Sequence, residues 1–111
     1  MTPEGKVKSA IKKVLTARGA YFVMPMGTGY GTAGAPDFVV CVDGVFVGIE
    51  AKAGKGQTTA LQQANLLAIV RAGGAALVIN EHNMDQLKGL LDALPAIQRD
   101  RSAASVVYPG A

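Results

Sequence analysis

Three charged side chains stand at the ends of two β-rich segments, where they could act together. Asp37 directly precedes the segment Phe38–Val42, and Glu50 and Lys52 end the segment that begins at Val45. Mg²⁺ is typically bound by one or two carboxylates, with water and substrate phosphates completing its shell. A lysine beside such a group would stabilise negative charge that develops on a phosphate. These residue types therefore indicate phosphate chemistry, provided that the two segments bring them together.

The dipeptide between the two segments predicts how they pair. Asp43-Gly44 is a strong signal for a two-residue β-hairpin turn, because both turn positions require a positive φ. In that turn Val42 pairs with Val45, and the register places Asp37 opposite Glu50. Side chains opposed in this way have Cβ atoms about 4.5–5.5 Å apart.

The alternation of a β-strand also places Lys52 on the face that carries Glu50. That face further carries Phe46 and Gly48, and the other carries Val45, Val47, Ile49 and Ala51. Two facing carboxylates repel each other, so we expect compensating positive charge from Lys52 and from a divalent cation. The alternative is two surface acids with Lys52 as an exposed ion-pair partner. The register and the apolar neighbours of Glu50 favour the first interpretation.

The same residues carry a resemblance to a known family. Pro36-Asp37 followed by Glu50-Ala51-Lys52 resembles the PD-(D/E)xK nuclease signature. The wider runs Gly34–Phe38 and Glu50–Gly54, with a downstream Gln62, are more specifically similar to the VRR-NUC family. That family includes small standalone phage and bacterial members. The resemblance covers about residues 2 to 80.

The resemblance implies a restriction-endonuclease-like α/β core with the order α-β-β-β-α-β-α and a central mixed sheet. It implies a metal-dependent endodeoxyribonuclease in which Asp37, Glu50 and the backbone carbonyl of Ala51 bind Mg²⁺ or Mn²⁺. Lys52 would position or activate the attacking water. Glu4 would orient metal-bound water, and Gln62 would contact water or phosphate.

Length and composition fit one domain spanning residues 1–111. Half of the 111 residues are apolar and 17% are charged, so the chain can bury a core. A net charge of +3 permits a polyanionic partner without requiring one. The single cysteine, Cys41, excludes an internal disulfide, and we expect it to be a small buried core residue. No apolar run has membrane-spanning length, so we expect a cytoplasmic location, in a bacterial cell or a phage-infected host.

The first helix begins with Thr2 as its N-cap and Pro3 at its first position, and Gly19 ends it. Glu4 lies on the inward stripe of this helix. It is either an acid that complements the helix dipole or a further acidic group at the site. Lysines cover much of the remaining helix surface, where they are solvated or contact phosphates. The DNA-contact candidates in the chain are Lys6, Lys13, Lys55 and Tyr30.

A strand over 20–26 and a glycine-rich loop follow the first helix. The loop matches a dinucleotide fingerprint in its glycine spacing, but a strand follows where that motif needs a helix. Thr58 or Thr59 caps a second helix that ends near Arg71. Gln62 points inward near its start in one interpretation and is a surface residue in the other, and Gln63 is the alternative candidate.

The C-terminal part of the chain is predicted to hold a buried strand over 75–80 and a last helix. Asn83 caps that helix, and Pro95 interrupts it. Residues 96–111 form a tail or a dimer arm, with a Val106-Val107-Tyr108 patch. Compact standalone members of the family resemble junction resolvases, so we expect a homodimer acting on double-stranded or branched DNA such as a four-way junction. A monomeric nicking or flap-cutting nuclease is the alternative.

Two other function classes remain open at this stage. One is a catalytically inactive nucleic-acid-binding protein on the same fold. The other is an interaction protein that binds neither metal nor nucleic acid. The presence of Asp37, Glu50 and Lys52 together favours the nuclease over both.

Overall fold

The computed structural model describes residues 1–26 and 33–97. Their helices and strands are α1 (Pro3–Ala17), β1 (Tyr21–Val23), β2 (Phe38–Val42), β3 (Val45–Ala51), α2 (Ala60–Arg71), β4 (Ala75–Ile79) and α3 (Met84–Ile97). The predicted α/β class and the mixed sheet are confirmed. The predictions for Tyr30 and for the Val106-Val107-Tyr108 patch lie outside the described residues.

The four strands lie in the order β1-β2-β3-β4. The first three form an antiparallel meander, and β4 is parallel to β3 because α2 carries the chain back between them. The predicted hairpin register is confirmed, with Val42 paired to Val45 and Phe38 paired to Ile49. Asp43 and Gly44 adopt φ values of 49° and 76°, as the two-residue turn requires.

One face of the sheet packs against α1 and α3 and forms the apolar core. Both helices present an apolar stripe at helical spacing, and the strands present alternate residues. The buried core residues are Val7, Ile11, Leu15, Phe38, Val40, Val42, Val47, Ile49, Ala51, Ile79, Leu87, Leu91 and Leu94. Thr2 caps α1 as predicted, its hydroxyl accepting a hydrogen bond from the Gly5 N–H at 2.9 Å.

The other face carries α2, which packs on β3 and β4. A Cβ on Gly48 would lie 2.5 Å from Ile69 Cδ1 and 3.1 Å from Pro36 Cγ, so only glycine admits both neighbours at this distance. Nevertheless α2 has no fully buried residue. This face is therefore covered more thinly than the core face.

Cys41 is exposed, so the prediction that it is a buried core residue is wrong. It pairs with Tyr21 on β1 and Phe46 on β3, which are also exposed. All three lie on the face that carries α2. Because α2 packs on β4 and on β3 at Gly48, it leaves open the part of this face where Tyr21, Cys41 and Phe46 lie.

The first strand is shorter than predicted, since β1 ends at Val23 rather than at residue 26. Pro25 lies just beyond, and proline has no N–H to donate to a sheet. By contrast, β3 continues to Ala51, where it still pairs with Ile79 of β4. Among the helices of the described residues, none is both long and apolar enough to cross a membrane.

Two predictions about α3 are corrected. Pro95 lies inside the helix instead of interrupting it. Proline cannot donate to the Leu91 carbonyl four residues earlier, and that carbonyl instead accepts a hydrogen bond from the Arg18 guanidinium. Asn83 does not cap α3 through its side-chain oxygen: this oxygen accepts the Asn80 N–H at 2.7 Å, and the Gln86 N–H donates to the Asn83 backbone carbonyl at 2.9 Å instead. The side chain thereby joins the end of β4 to the start of α3.

Candidate functional site

Asp37 lies in the bend before β2, and the hairpin register brings it beside the end of β3. Its Oδ2 accepts a hydrogen bond from the backbone N–H of Ala51 at 2.8 Å. The N–H and C=O of one strand residue are directed to the same neighbouring strand. The Ala51 carbonyl, predicted as a metal ligand, is therefore directed to the side of β3 on which Asp37 lies.

Glu50 is the one buried charged or polar residue among the described residues, with 2% of its surface exposed. Strand alternation places it on the face that carries α2, two residues beyond Gly48. Its Oε2 is fully buried and receives no hydrogen bond from any described residue. Burying a carboxylate without partners is strongly unfavourable, so Glu50 needs either a proton or a bound cation.

The two carboxyl groups are close enough for each to shift the pKa of the other. Burial is the main cause that raises the pKa of Glu50 to about 8. The neighbouring Asp37 carboxyl and the negative charge of Glu4 raise this pKa further, and the positive charge of Lys52 lowers it. Burial also acts to raise the pKa of Asp37. Its hydrogen bonds from Glu50 and Ala51, together with the charge of Lys8, lower this pKa below the ordinary value. The opposite directions of the two shifts favour Glu50 over Asp37 as the carboxyl that holds a proton when the pair binds one.

Lys8 is a site residue that the sequence analysis missed. Its Nζ lies 3.4 Å from Asp37 Oδ1 and 3.7 Å from Glu4 Oε2. Val7 and Ile11 are buried against the sheet, and this orientation of α1 leaves Lys8 at the border of the core. Lys8 follows Glu4 by four residues, and residues at this spacing are neighbours on a helix surface. This spacing could have indicated that Lys8 lies beside the site.

Glu4 and Lys52 both act electrostatically on Glu50, with opposite effects on its pKa. Glu4 is half-buried on the first turn of α1 and pairs with Lys8. Lys52 is also half-buried, and its backbone N–H donates to the Ile79 carbonyl at 3.0 Å. The structure thus gathers Glu4, Asp37, Glu50 and Lys52 at the end of β3 that lies away from the hairpin.

Gln62 takes part in the cap of α2. Its Oε1 accepts the Thr59 N–H at 2.9 Å, and its own N–H donates to Thr59 Oγ1 at 3.1 Å. Gln63 donates from its amide to Thr58 Oγ1 at 3.0 Å and is exposed. These contacts do not bring either glutamine to the carboxyl pair, so the site role of Gln62 stays a prediction.

Two connections hold the loops that flank the site. Gly54 donates its N–H to Glu81 Oε1 at 2.7 Å, which fixes the loop after Lys52. On the other side Asn65 of α2 donates to the Ala33 carbonyl at 3.1 Å. Gly34 has a φ of 79°, and a Cβ there would lie 2.6 Å from Leu61 Cγ. Glycine is therefore required where the chain turns toward Asp37.

The predicted DNA-contact lysines lie on the surface. Lys6 borders a groove between α1 and α3 together with Met84 and Glu81. Lys13 borders a second groove with Lys88. Lys55 is exposed in the loop after β3. None of these three takes part in the ion pairs found among the described residues.

The described residues contain no group of three or more His, Cys, Asp or Glu side chains placed to bind a metal ion. The direct side-chain ligands would be limited to Asp37 and Glu50, which is within what Mg²⁺ uses. The buried Glu50 Oε2 without a hydrogen-bond donor fits such a cation, because a divalent ion would supply the missing partner. Comparisons of the chain with protein-family models, with curated proteins and with solved structures find no match.

Proposed function

We propose that this protein is a divalent-metal-dependent nuclease that hydrolyses phosphodiester bonds in DNA, on a restriction-endonuclease-like PD-(D/E)xK core. One observation carries the proposal: Glu50 is buried opposite Asp37, and its Oε2 has no hydrogen-bond donor among the described residues. A core carboxyl held in this way destabilises the fold. A metal site gives that arrangement a function.

Asp37, Glu50 and the Ala51 carbonyl would hold the ion, which is Mg²⁺ or Mn²⁺. When bound, the ion neutralises charge on the phosphate and lowers the pKa of a coordinated water. Lys52 would position the attacking water and, through its charge, stabilise the negative charge that develops on the phosphate. Glu4 orients water at the edge of the site, and Gln62 contributes its amide nitrogen to water or phosphate.

The proposed substrate is double-stranded or branched DNA, including a four-way junction. A paired incision needs two centres in a fixed relation, so we further propose a C₂ homodimer. Support comes from the open part of the α2 face, where Tyr21 and Phe46 are exposed beside Cys41. Light scattering should give a mass close to twice the 11.4 kDa of one chain.

The decisive experiment measures cleavage of linear, flapped and four-way-junction DNA with Mg²⁺ or Mn²⁺. Asp37→Asn and Glu50→Gln preserve side-chain shape and remove the carboxylate. Each is expected to lower the cleavage rate by about 100-fold or more, the scale of losing one electrostatic contact to a transition state.

Asp43→Asn is the matched control, because it removes one acidic charge from the same hairpin at the end far from the site. Asparagine tolerates the positive φ of that turn. Wild-type-like cleavage by Glu50→Gln would overturn the proposal. DNA binding by the wild-type protein without cleavage of any substrate would favour the inactive binding protein instead.

A further inference from the structure

The two oxygens of Asp37 are held in different ways. Oδ2 accepts a backbone hydrogen bond from Ala51 at 2.8 Å, within the normal range for a charge-assisted bond. Oδ1 faces the ammonium of Lys8 at 3.4 Å, which is longer than such a bond. The backbone of β3 therefore fixes Oδ2 through a hydrogen bond, while Oδ1 has only a longer ion-pair contact with the Lys8 ammonium.

The position of Lys8 favours reversible contact. Its side chain is 33% exposed, and partly exposed ion pairs of this kind stabilise proteins only weakly. Lysine carries its charge on a flexible four-carbon stem, so the ammonium can move without any movement of α1. Glu4, which is half-buried, lies 3.7 Å from the same ammonium and keeps Lys8 near the site if it leaves Asp37.

We propose that Lys8 is a displaceable counter-ion of Asp37, standing beside Oδ1 in the metal-free protein and yielding this oxygen to a divalent cation. The displaced ammonium then binds a backbone phosphate of the DNA. This inference rests on the proposed function, which it deepens by naming a residue that exchanges partners between the empty and the loaded site.

The exchange predicts a linkage between metal and DNA. Lys8 competes with the cation for Asp37, so it weakens metal binding in the absence of DNA. Once displaced, it strengthens DNA binding, so the cation and the DNA each tighten the binding of the other by the same factor. A fixed structural ion pair would produce neither effect.

The test compares Mn²⁺ binding by calorimetry, without DNA, in wild-type protein, Lys8→Met and Lys12→Met. Methionine keeps an unbranched, flexible side chain of nearly the same length and removes its charge. Lys12 is the matched control, one turn further along α1 and exposed. We expect Lys8→Met to bind Mn²⁺ roughly threefold to tenfold more tightly than wild type, and Lys12→Met to change by less than about twofold.

A second measurement follows Lys8 in the wild-type protein and does not depend on how a variant folds. The NMR signal of the Lys8 Hε–Cε group should shift on addition of Mg²⁺, while that of Lys12 stays in place. If wild-type protein binds no Mn²⁺, the proposed function fails together with the role of Lys8. If it binds Mn²⁺, but Lys8→Met binds equally or more weakly and the Lys8 signal does not shift, only the role of Lys8 is overturned.

Discussion

The two faces of the sheet differ in what they bury. The face under α1 and α3 holds an apolar core in which Ile11, Ile49 and Leu87 are fully excluded from solvent. The face under α2 buries Gly48, Pro36 and a carboxyl, that of Glu50, while α2 itself has no fully buried residue. The difference indicates that one face supplies most of the stability. The other face can therefore retain the Glu50 carboxyl, which destabilises the fold but is available to bind a cation.

The largest expected effect tests this division directly. Leu87→Ala removes a fully buried side chain of α3 and should lower the free energy of unfolding by about 2–5 kcal/mol. Leu67→Ala makes the same change on α2, where the side chain is 47% exposed. It should lower the free energy of unfolding by less than about 0.5 kcal/mol. Urea denaturation of both variants gives the two values. Equal losses would mean that the surface of α2 around Leu67 is buried in solution, as it would be under a second copy of the chain.

The pairing of Asp37 with Glu50 on the thinly covered face was predictable from the sequence, because it depends on local structure. Asp43-Gly44 determines the turn, the turn determines the register, and the register brings Asp37 to Glu50. No contact elsewhere in the chain is needed for that step. The caps at Thr2 and Thr59 are local in the same sense.

The rest depends on how the elements pack. The approach of Lys8 to Asp37 requires the placement of α1 on the sheet, which no local pattern specifies. Cys41 alternates as a strand residue should, but its exposure depends on which part of the face α2 covers. Pro95 is tolerated inside α3 because Arg18, distant in sequence, uses the carbonyl that proline leaves free.

A smaller effect concerns the buried carboxyl itself. The folded state raises the pKa of Glu50 from 4.5 to about 8, so between these values it binds more protons than the unfolded chain. The free energy of unfolding of the metal-free protein should therefore fall as pH rises from 5 to 8, by about 3 kcal/mol. The lowered pKa of Asp37 acts only below 3.8, outside this window.

Urea denaturation in the presence of a chelator, at intervals from pH 5 to pH 8, measures this slope. Glu50→Gln removes the titrating group and keeps the side chain's shape, so its stability should decline less over the same range. If the wild-type protein and Glu50→Gln show the same slope, Glu50 is ionised in the folded protein. The cost of burying its charge would then be offset by a nearby positive charge such as that of Lys52.

The smallest effect concerns the edge of the thinly covered face, where α2 begins. Gln62 uses its Oε1 in the cap of α2, so its amide nitrogen is the group available to a phosphate. Gln62→Glu keeps the capping oxygen and should change stability by less than about 0.5 kcal/mol. It replaces the amide donor by negative charge, so cleavage should fall by about threefold to tenfold. Gln63→Glu is the control, because that exposed side chain contacts Thr58, and its cleavage rate should not change. Equal rates in the two variants would show that Gln62 acts only as a cap of α2 and takes no part in the reaction.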